Sequence, residues 1–176
     1  MSSTRGFTLI EFAVVLVLIG AFFLIAIPKF NSLTEVNIKS ASRRLSGVVK
    51  HLYNEAVFKK KIYKLSFDLD GGEYWVEVQE GNEFVITEDP FLRRIRLPQG
   101  VSFVEIKTDR DQVNSLGANE EFILFLPTGF VEPAVIYLRT ENEDFYTLAT
   151  KPYTGGMTVF DENVDLYNKE ALFIHP

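Results

Sequence analysis

The chain of 176 residues contains no cysteine, two histidines, two methionines and one tryptophan. Without cysteine there is no disulfide framework, no thiolate metal site and no cysteine nucleophile. The redox compartment stays open, because many exported domains do without disulfides. His51 and His175 stand alone, and no HExxH, GxSxG or phosphate-binding loop accompanies them. The sequence therefore offers no catalytic constellation, and neither a cofactor nor a metal is expected. Basic residues are also in short supply: 18 Lys and Arg face 24 Asp and Glu, a net charge of -6. From residue 161 onward one Lys faces Asp161, Glu162, Asp165 and Glu170. Nucleic-acid binding rests on clustered Lys and Arg, so this balance argues against nucleic acid as a partner. Arg93, Arg94 and Arg96 could still form a local basic patch. The acidic tail fits no EF-hand spacing and reads as a solvated surface in preference to a calcium site.

Long apolar runs are absent with one exception. Residues 12–27 carry no charged or strongly polar side chain, and the run extends back to Phe7 interrupted only by Thr8 and Glu11. At 1.5 Å per residue, residues 7–27 span roughly 30 Å, the thickness of a bilayer core. A cleaved signal peptide would have a shorter apolar stretch with a small-residue site after it. Here Pro28-Lys29-Phe30-Asn31 follows, and a short leader, Met1 to Gly6, precedes. A plain anchor explains the run but not Glu11, since a carboxylate in a membrane segment costs about 2.5–3.5 kcal/mol on insertion scales. Such a residue normally has a partner. Arg5, with no acid in the leader, favours a cytoplasmic N-terminus and a large domain on the far side.

Arg5-Gly6-Phe7-Thr8-Leu9-Ile10-Glu11 resembles the processing and assembly motif of type IV pilins and type II secretion pseudopilins. The resemblance implies cleavage between Gly6 and Phe7 by a prepilin peptidase and N-methylation of Phe7. It also implies that Glu11 pairs with the N-terminal amine of a neighbouring subunit. The physics is consistent, because an ammonium and a carboxylate neutralise each other across a contact in lipid. Pro28 lies at the end of the apolar run, where a missing N–H and a ring clash break or kink a helix. Both a bend in a long helix and simple termination fit that position. Ser32-Leu33-Thr34-Glu35 fits a capping box and a fresh start after the break.

Residues 32–60 have helical spacing, with Leu33, Val36, Ala41, Leu45, Val48, Val49, Leu52, Ala56 and Val57 on one stripe. Arg43, Arg44, Lys50 and Asn54 fall off it, His51 is a surface or rim residue, and Lys59-Lys60-Lys61 suits the helix C-terminus. After residue 61 the pattern alternates. Residues 62–79 read as a β-hairpin around Asp70-Gly71-Gly72. Further strands are expected at 83–87, 93–97, 101–107, 121–127, 134–140, 145–150 and 157–160, with a polar loop at 108–119. Trp75 is expected in the core. The fold class is α+β: a long N-terminal helix, transmembrane in its first half, packed on an antiparallel β-sheet or sandwich domain. The divisions are a leader at 1–6, a transmembrane helix at 7–28, an amphipathic continuation at 29–61, and a periplasmic β domain with a tail at 62–176.

Ser42 to Gly47, Asn54 to Val57, Tyr63 to Leu69, Tyr74-Trp75-Val76, Leu97 to Val101, Phe125-Leu126-Pro127-Thr128-Gly129, Glu132-Pro133-Ala134, and Leu148 followed by Thr154-Gly155 resemble the H-type minor pseudopilins, the GspH/FimT group. That resemblance implies a non-enzymatic structural subunit in an inner-membrane-rooted pseudopilus of type II secretion. Its partners would be other pseudopilins or pilins, the prepilin peptidase, the inner membrane, and secreted cargo or the outer-membrane secretin. The alternatives are a minor pilin of a type IV pilus or DNA-uptake system, and a membrane-anchored binding module or enzyme.

Overall fold

The computed structural model describes residues 8–108 and 121–166, and for residues 24–35 it describes the backbone alone. One helix, α1, runs from Leu9 to Lys59. It passes Pro28 without an end, and no second helix starts at Ser32. The break expected at Pro28 is therefore not an interruption of the helix. A proline removes one backbone donor and costs about 3 kcal/mol, and the helix continues on either side of it. α1 stops where Lys60 takes the left-handed conformation, φ 57°, a usual C-terminal geometry. Lys59 in the last turn pairs with Glu55.

The described residues after α1 form two antiparallel sheets. The first contains β1 (Tyr63–Asp68), β2 (Glu73–Glu80), β3 (Glu83–Ile86), β4 (Ile95–Arg96), β6 (Glu121–Leu126) and β7 (Phe130–Val131). Its order is β3-β2-β1-β6-β7, with β4 pairing the end of β2 beyond β3. The second contains β5 (Val101–Thr108), β8 (Ala134–Thr140), β9 (Phe145–Lys151) and β10 (Gly156–Phe160), in the order β10-β9-β8-β5. The β1–β2 turn closes as the Gly71 N–H donates to Asp68 Oδ1 at 2.8 Å. The expected strands are present, with β4 reduced to two residues. β7 adds a short strand that two residues of sequence cannot announce. The loop expected at 108–119 lies outside the described residues from 109 onward.

One core joins the three layers. α1 contributes Ile38, Leu45, Val49 and Leu52, the first sheet Leu65, Phe67, Tyr74, Val76, Ile123 and Phe125, and the second Phe103, Ile106, Ile136, Leu138 and Leu148. Full burial of each aliphatic or aromatic side chain contributes about 1.5–3 kcal/mol. Phe103 meets Phe67 edge-on, 5.5 Å between ring centres, and Tyr74 at 6.3 Å, which locks the sheets together. Trp75 is not in this core. Alternation along β2 turns Tyr74 and Val76 inward and leaves Trp75 half-buried on the outer face, under the Arg94 guanidinium.

The described part of the tail crosses the outer face of the second sheet. The Thr147 hydroxyl donates to the Glu162 carbonyl (2.8 Å) and accepts from the Val164 N–H (3.1 Å), while Tyr137 Oη donates to the Val164 carbonyl (3.3 Å). Leu166 is then buried against Val135, Tyr137 and Ala149. Asp161, Glu162 and Asp165 stay exposed; Glu170 and His175 lie outside the described residues.

Candidate functional site

α1 divides into two halves of different surroundings. In its first half the large apolar side chains from Leu9 to Phe23 are 41–87% exposed, and they point in every direction around the helix. A helix that is apolar all round cannot rest in water and needs lipid or protein against it. Among the described residues no helix is long and apolar enough to cross a membrane. The part of the run whose side chains are described ends at Phe23.

At the start of that half Thr8 is the N-cap, with extended φ and ψ of -84° and 147°. Its hydroxyl accepts from the Glu11 N–H (3.3 Å), and the Glu11 carboxylate accepts from the Thr8 N–H (3.1 Å) and hydroxyl (2.8 Å). This is a complete capping box, two orphan donors satisfied reciprocally. Both bonds to the carboxylate fall on Oε2, which leaves Oε1 able to accept from another donor. The Thr-x-x-Glu spacing carries the same signal as the one read at Ser32–Glu35, and it marks the true start of the helix. Gly6 and Phe7 lie outside the described residues, and nothing about Pro28 beyond its helical backbone is described.

The second half is docked. Ala41, Leu45, Val48, Val49, Leu52 and Ala56 are buried as their spacing predicts, and Ile38, which the stripe did not include, is buried with them. Val36 is instead 64% exposed. It lies just before the point where the helix meets the sheets, so periodicity places it on the right face but none of the described residues covers it. Ser42 is buried and satisfies its hydroxyl by donating to the Ile38 carbonyl at 2.8 Å, a local bond that suits a polar residue on a buried helix face.

Tyr53 ties the turns to this half. Its hydroxyl donates to the Tyr153 carbonyl (3.1 Å), and Lys50 Nζ donates to the Thr154 carbonyl (2.7 Å). Gly155, at φ 62°, sits so close over the Tyr53 ring that a Cβ there would overlap it. Gly129, at φ 80°, faces the Tyr53 hydroxyl, and Phe130 packs on Tyr153 at 5.7 Å. Two of the segments singled out in the sequence, Pro127-Thr128-Gly129 and Thr154-Gly155, therefore converge on one helical tyrosine. Left-handed glycines and close approach explain both.

The remaining candidates are satisfied internally. Arg94 and Arg96 both bond the Glu73 carboxylate, at 3.1 and 2.6 Å, so two of the three clustered arginines are already paired. An open cavity of about 580 Å³ on the outer face of the first sheet is lined by Lys64, Ser66, Asp68, Trp75, Glu77 and Glu121. Within it Lys64 pairs with Glu77 (2.7 Å) and the Ser66 hydroxyl donates to the same carboxylate (2.8 Å). The serine thus faces a carboxylate already neutralised by an ammonium, a poor base for activating it. His51 is exposed on α1. Among the described residues no group of three His, Cys, Asp or Glu is placed to hold a metal ion.

No family model and no curated protein matches the chain. Solved structures do. One structure of the minor pseudopilin EpsH from the type II secretion system of Vibrio cholerae superposes with a TM-score of 0.56 at 12% identity, over 71% of this chain and 97% of that one. A second structure of EpsH from the same organism gives 0.58 at 10% identity, over 76% and 99%. The chain therefore has the fold of an H-type minor pseudopilin.

Proposed function

We propose that this chain, built on the fold of EpsH, is a minor pseudopilin: a structural subunit of a type II secretion pseudopilus that drives protein export across the outer membrane. The observation that carries the reading is the division of α1. An apolar, uncovered half opens on a lone carboxylate, and the same helix continues into a β domain with the H-type fold. Solved neighbours that are structural subunits support a non-enzymatic role.

On this reading residues 1–6 are a leader removed between Gly6 and Phe7, and Phe7 is then methylated. Residues 7–28 hold the chain in the inner membrane with the N-terminus cytoplasmic, residues 29–61 continue the helix, and residues 62–176 lie in the periplasm. Pro28, with one backbone bond missing, is the softest point of α1 and the place for a bend. Glu11 shares its carboxylate between its own cap, through Oε2, and the terminal ammonium of a neighbouring subunit, which reaches Oε1. Each charge offsets the desolvation of the other as the subunit leaves the bilayer for the filament. Other pseudopilins, the prepilin peptidase, the secretin and cargo are the partners this role requires.

Two measurements test the reading. Intact mass of the mature protein should correspond to residues 7–176 with one added methyl group; a full-length mass, or a cut near residue 28, overturns the processing. Glu11→Val should leave insertion and cleavage intact but impair incorporation into the filament and secretion. Normal incorporation would refute the role given to Glu11. Co-purification with secretion components, as against type IV pilus components, fixes the system.

A further inference from the structure

β3 ends the first sheet, and its outer side is unpaired among the described residues. All four of its residues are exposed, and three are apolar: Phe84, Val85 and Ile86, at 36–44%. The hydrogen-bond phase fixes which backbone groups are open. Thr87 N–H donates to the Val76 carbonyl, and the register opposes Val85 to Val78 and Glu83 to Glu80. Narrow pairs alternate in an antiparallel ladder, so Thr87, Val85 and Glu83 bond inward. The N–H and C=O groups of Phe84 and Ile86 point away from the sheet.

Two other edges among the described residues are blunted. β7 has two residues, and β5 carries a register shift between Phe103 and Glu105 together with the charged Glu105 and Lys107. β3 has neither bulge nor proline nor lysine. It has carboxylates at its ends instead, Glu83 before the apolar run and Glu88 after it, both exposed. Pairing of two copies through β3 would bring Glu83 of one beside Glu88 of the other at each end of the ribbon, and like charges there oppose it.

We infer that β3 is a docking edge for an extended segment of a different polypeptide, apolar in its middle and flanked by Lys or Arg. Such a segment would add a strand beside β3. Its backbone would pair with the open groups of Phe84 and Ile86, and its flanking cations would meet Glu83 and Glu88. The inference stands on β3 alone and does not depend on the pseudopilin reading.

The test uses the full chain in detergent micelles and two synthetic peptides, Lys-Arg-Val-Thr-Val-Thr-Val-Arg-Lys and its counterpart with Glu and Asp at the ends. Amide hydrogen exchange is followed residue by residue. The basic peptide should slow exchange at Phe84 and Ile86 by about tenfold or more, as strand addition requires, and the acidic peptide should not. Ile86→Pro removes an outward N–H without touching the β2–β3 ladder, and it should weaken binding of the basic peptide about tenfold. Glu83→Lys with Glu88→Lys should reverse the preference between the peptides, which keeps the test decisive if the proline variant misfolds. The inference is overturned if both amides are already protected in the free chain, if the two peptides bind alike, if the reversed variant keeps its preference, or if the wild type self-associates through β3.

Discussion

The two halves of α1 belong to one continuous helix, yet only one is covered. From Ile38 to Ala56 the apolar stripe is buried against both sheets; from Leu9 to Phe23 comparable side chains are left exposed by the described residues. The second half is amphipathic, with Arg43, Arg44, Lys50 and Asn54 on its open side. The first has no polar side at all. Amphipathic helices are held by their own domain, and helices that are apolar all round need lipid or protein against them. The energies of the two halves should therefore be separable by experiment.

The largest separation is expected from leucine truncation. Leu52 is fully buried in the shared core, and Leu52→Ala should destabilise the β domain by about 2–5 kcal/mol. Leu16→Ala removes as many atoms from the uncovered half and should leave that unfolding free energy unchanged within about 0.5 kcal/mol. Denaturant titration of the full chain in micelles, followed by Trp75 fluorescence, reads both. Equal losses would erase the distinction between the halves. Next comes Gly155→Ala, which adds a left-handed strain of about 1–2 kcal/mol to an overlap with Tyr53. Tyr53→Ala in the same chain should return the steric part of that loss and not the backbone part. A double-mutant cycle on the unfolding midpoints measures the difference.

How far these features could be read from the sequence depends on the range of the forces behind them. Alternation and helical spacing are local, so nine of the ten strands among the described residues, the helix and most of its buried stripe are legible in the sequence. Placement relative to a partner element is not local. Val36 has the right phase but lies before the helix meets the sheets. Trp75 has the bulk of a core residue, yet one step of register gives that place to Tyr74. Pro28 was read as a break because its own propensity opposes helix, while the helix on either side continues past it. The convergence of Gly129 and Gly155 on Tyr53 joins residues far apart in the chain, and no local pattern announces it. At the helix start the Thr8–Glu11 spacing is itself a local capping signal, and the charge of Glu11 carries a second, separate one.

A pH titration sharpens the contrast from the docked side. Tyr74 is buried in the shared core against Phe67 and Phe103, and burial pushes its phenol up to about 12, with the Arg44 guanidinium of α1 acting the other way. The unfolded phenol ionises near 10, so below that pH the full stabilisation is present. Between about pH 10 and 12 the unfolded state loses its proton first, and stability falls. Burial raises Tyr63 and Tyr137 in the same direction. Tyr74→Phe should flatten part of the alkaline slope of the unfolding free energy. An unchanged slope would place the titration elsewhere.

The smallest effect separates the two roles of Glu11 in the uncovered half. Thr8→Ala removes the N-cap hydroxyl and should cost about 0.5–2 kcal/mol, confined to the first turn. It leaves the Glu11 charge in place, so filament incorporation should be only slightly reduced if the charge is what a neighbouring subunit reads. Glu11→Gln does the opposite: a side-chain amide oxygen still completes a capping box, but the charge is gone. If incorporation falls with Glu11→Gln and survives Thr8→Ala, the carboxylate acts across the subunit contact. If both variants lose incorporation equally, Glu11 serves only to start its own helix, and the uncovered half is an anchor without an assembly contact at its tip.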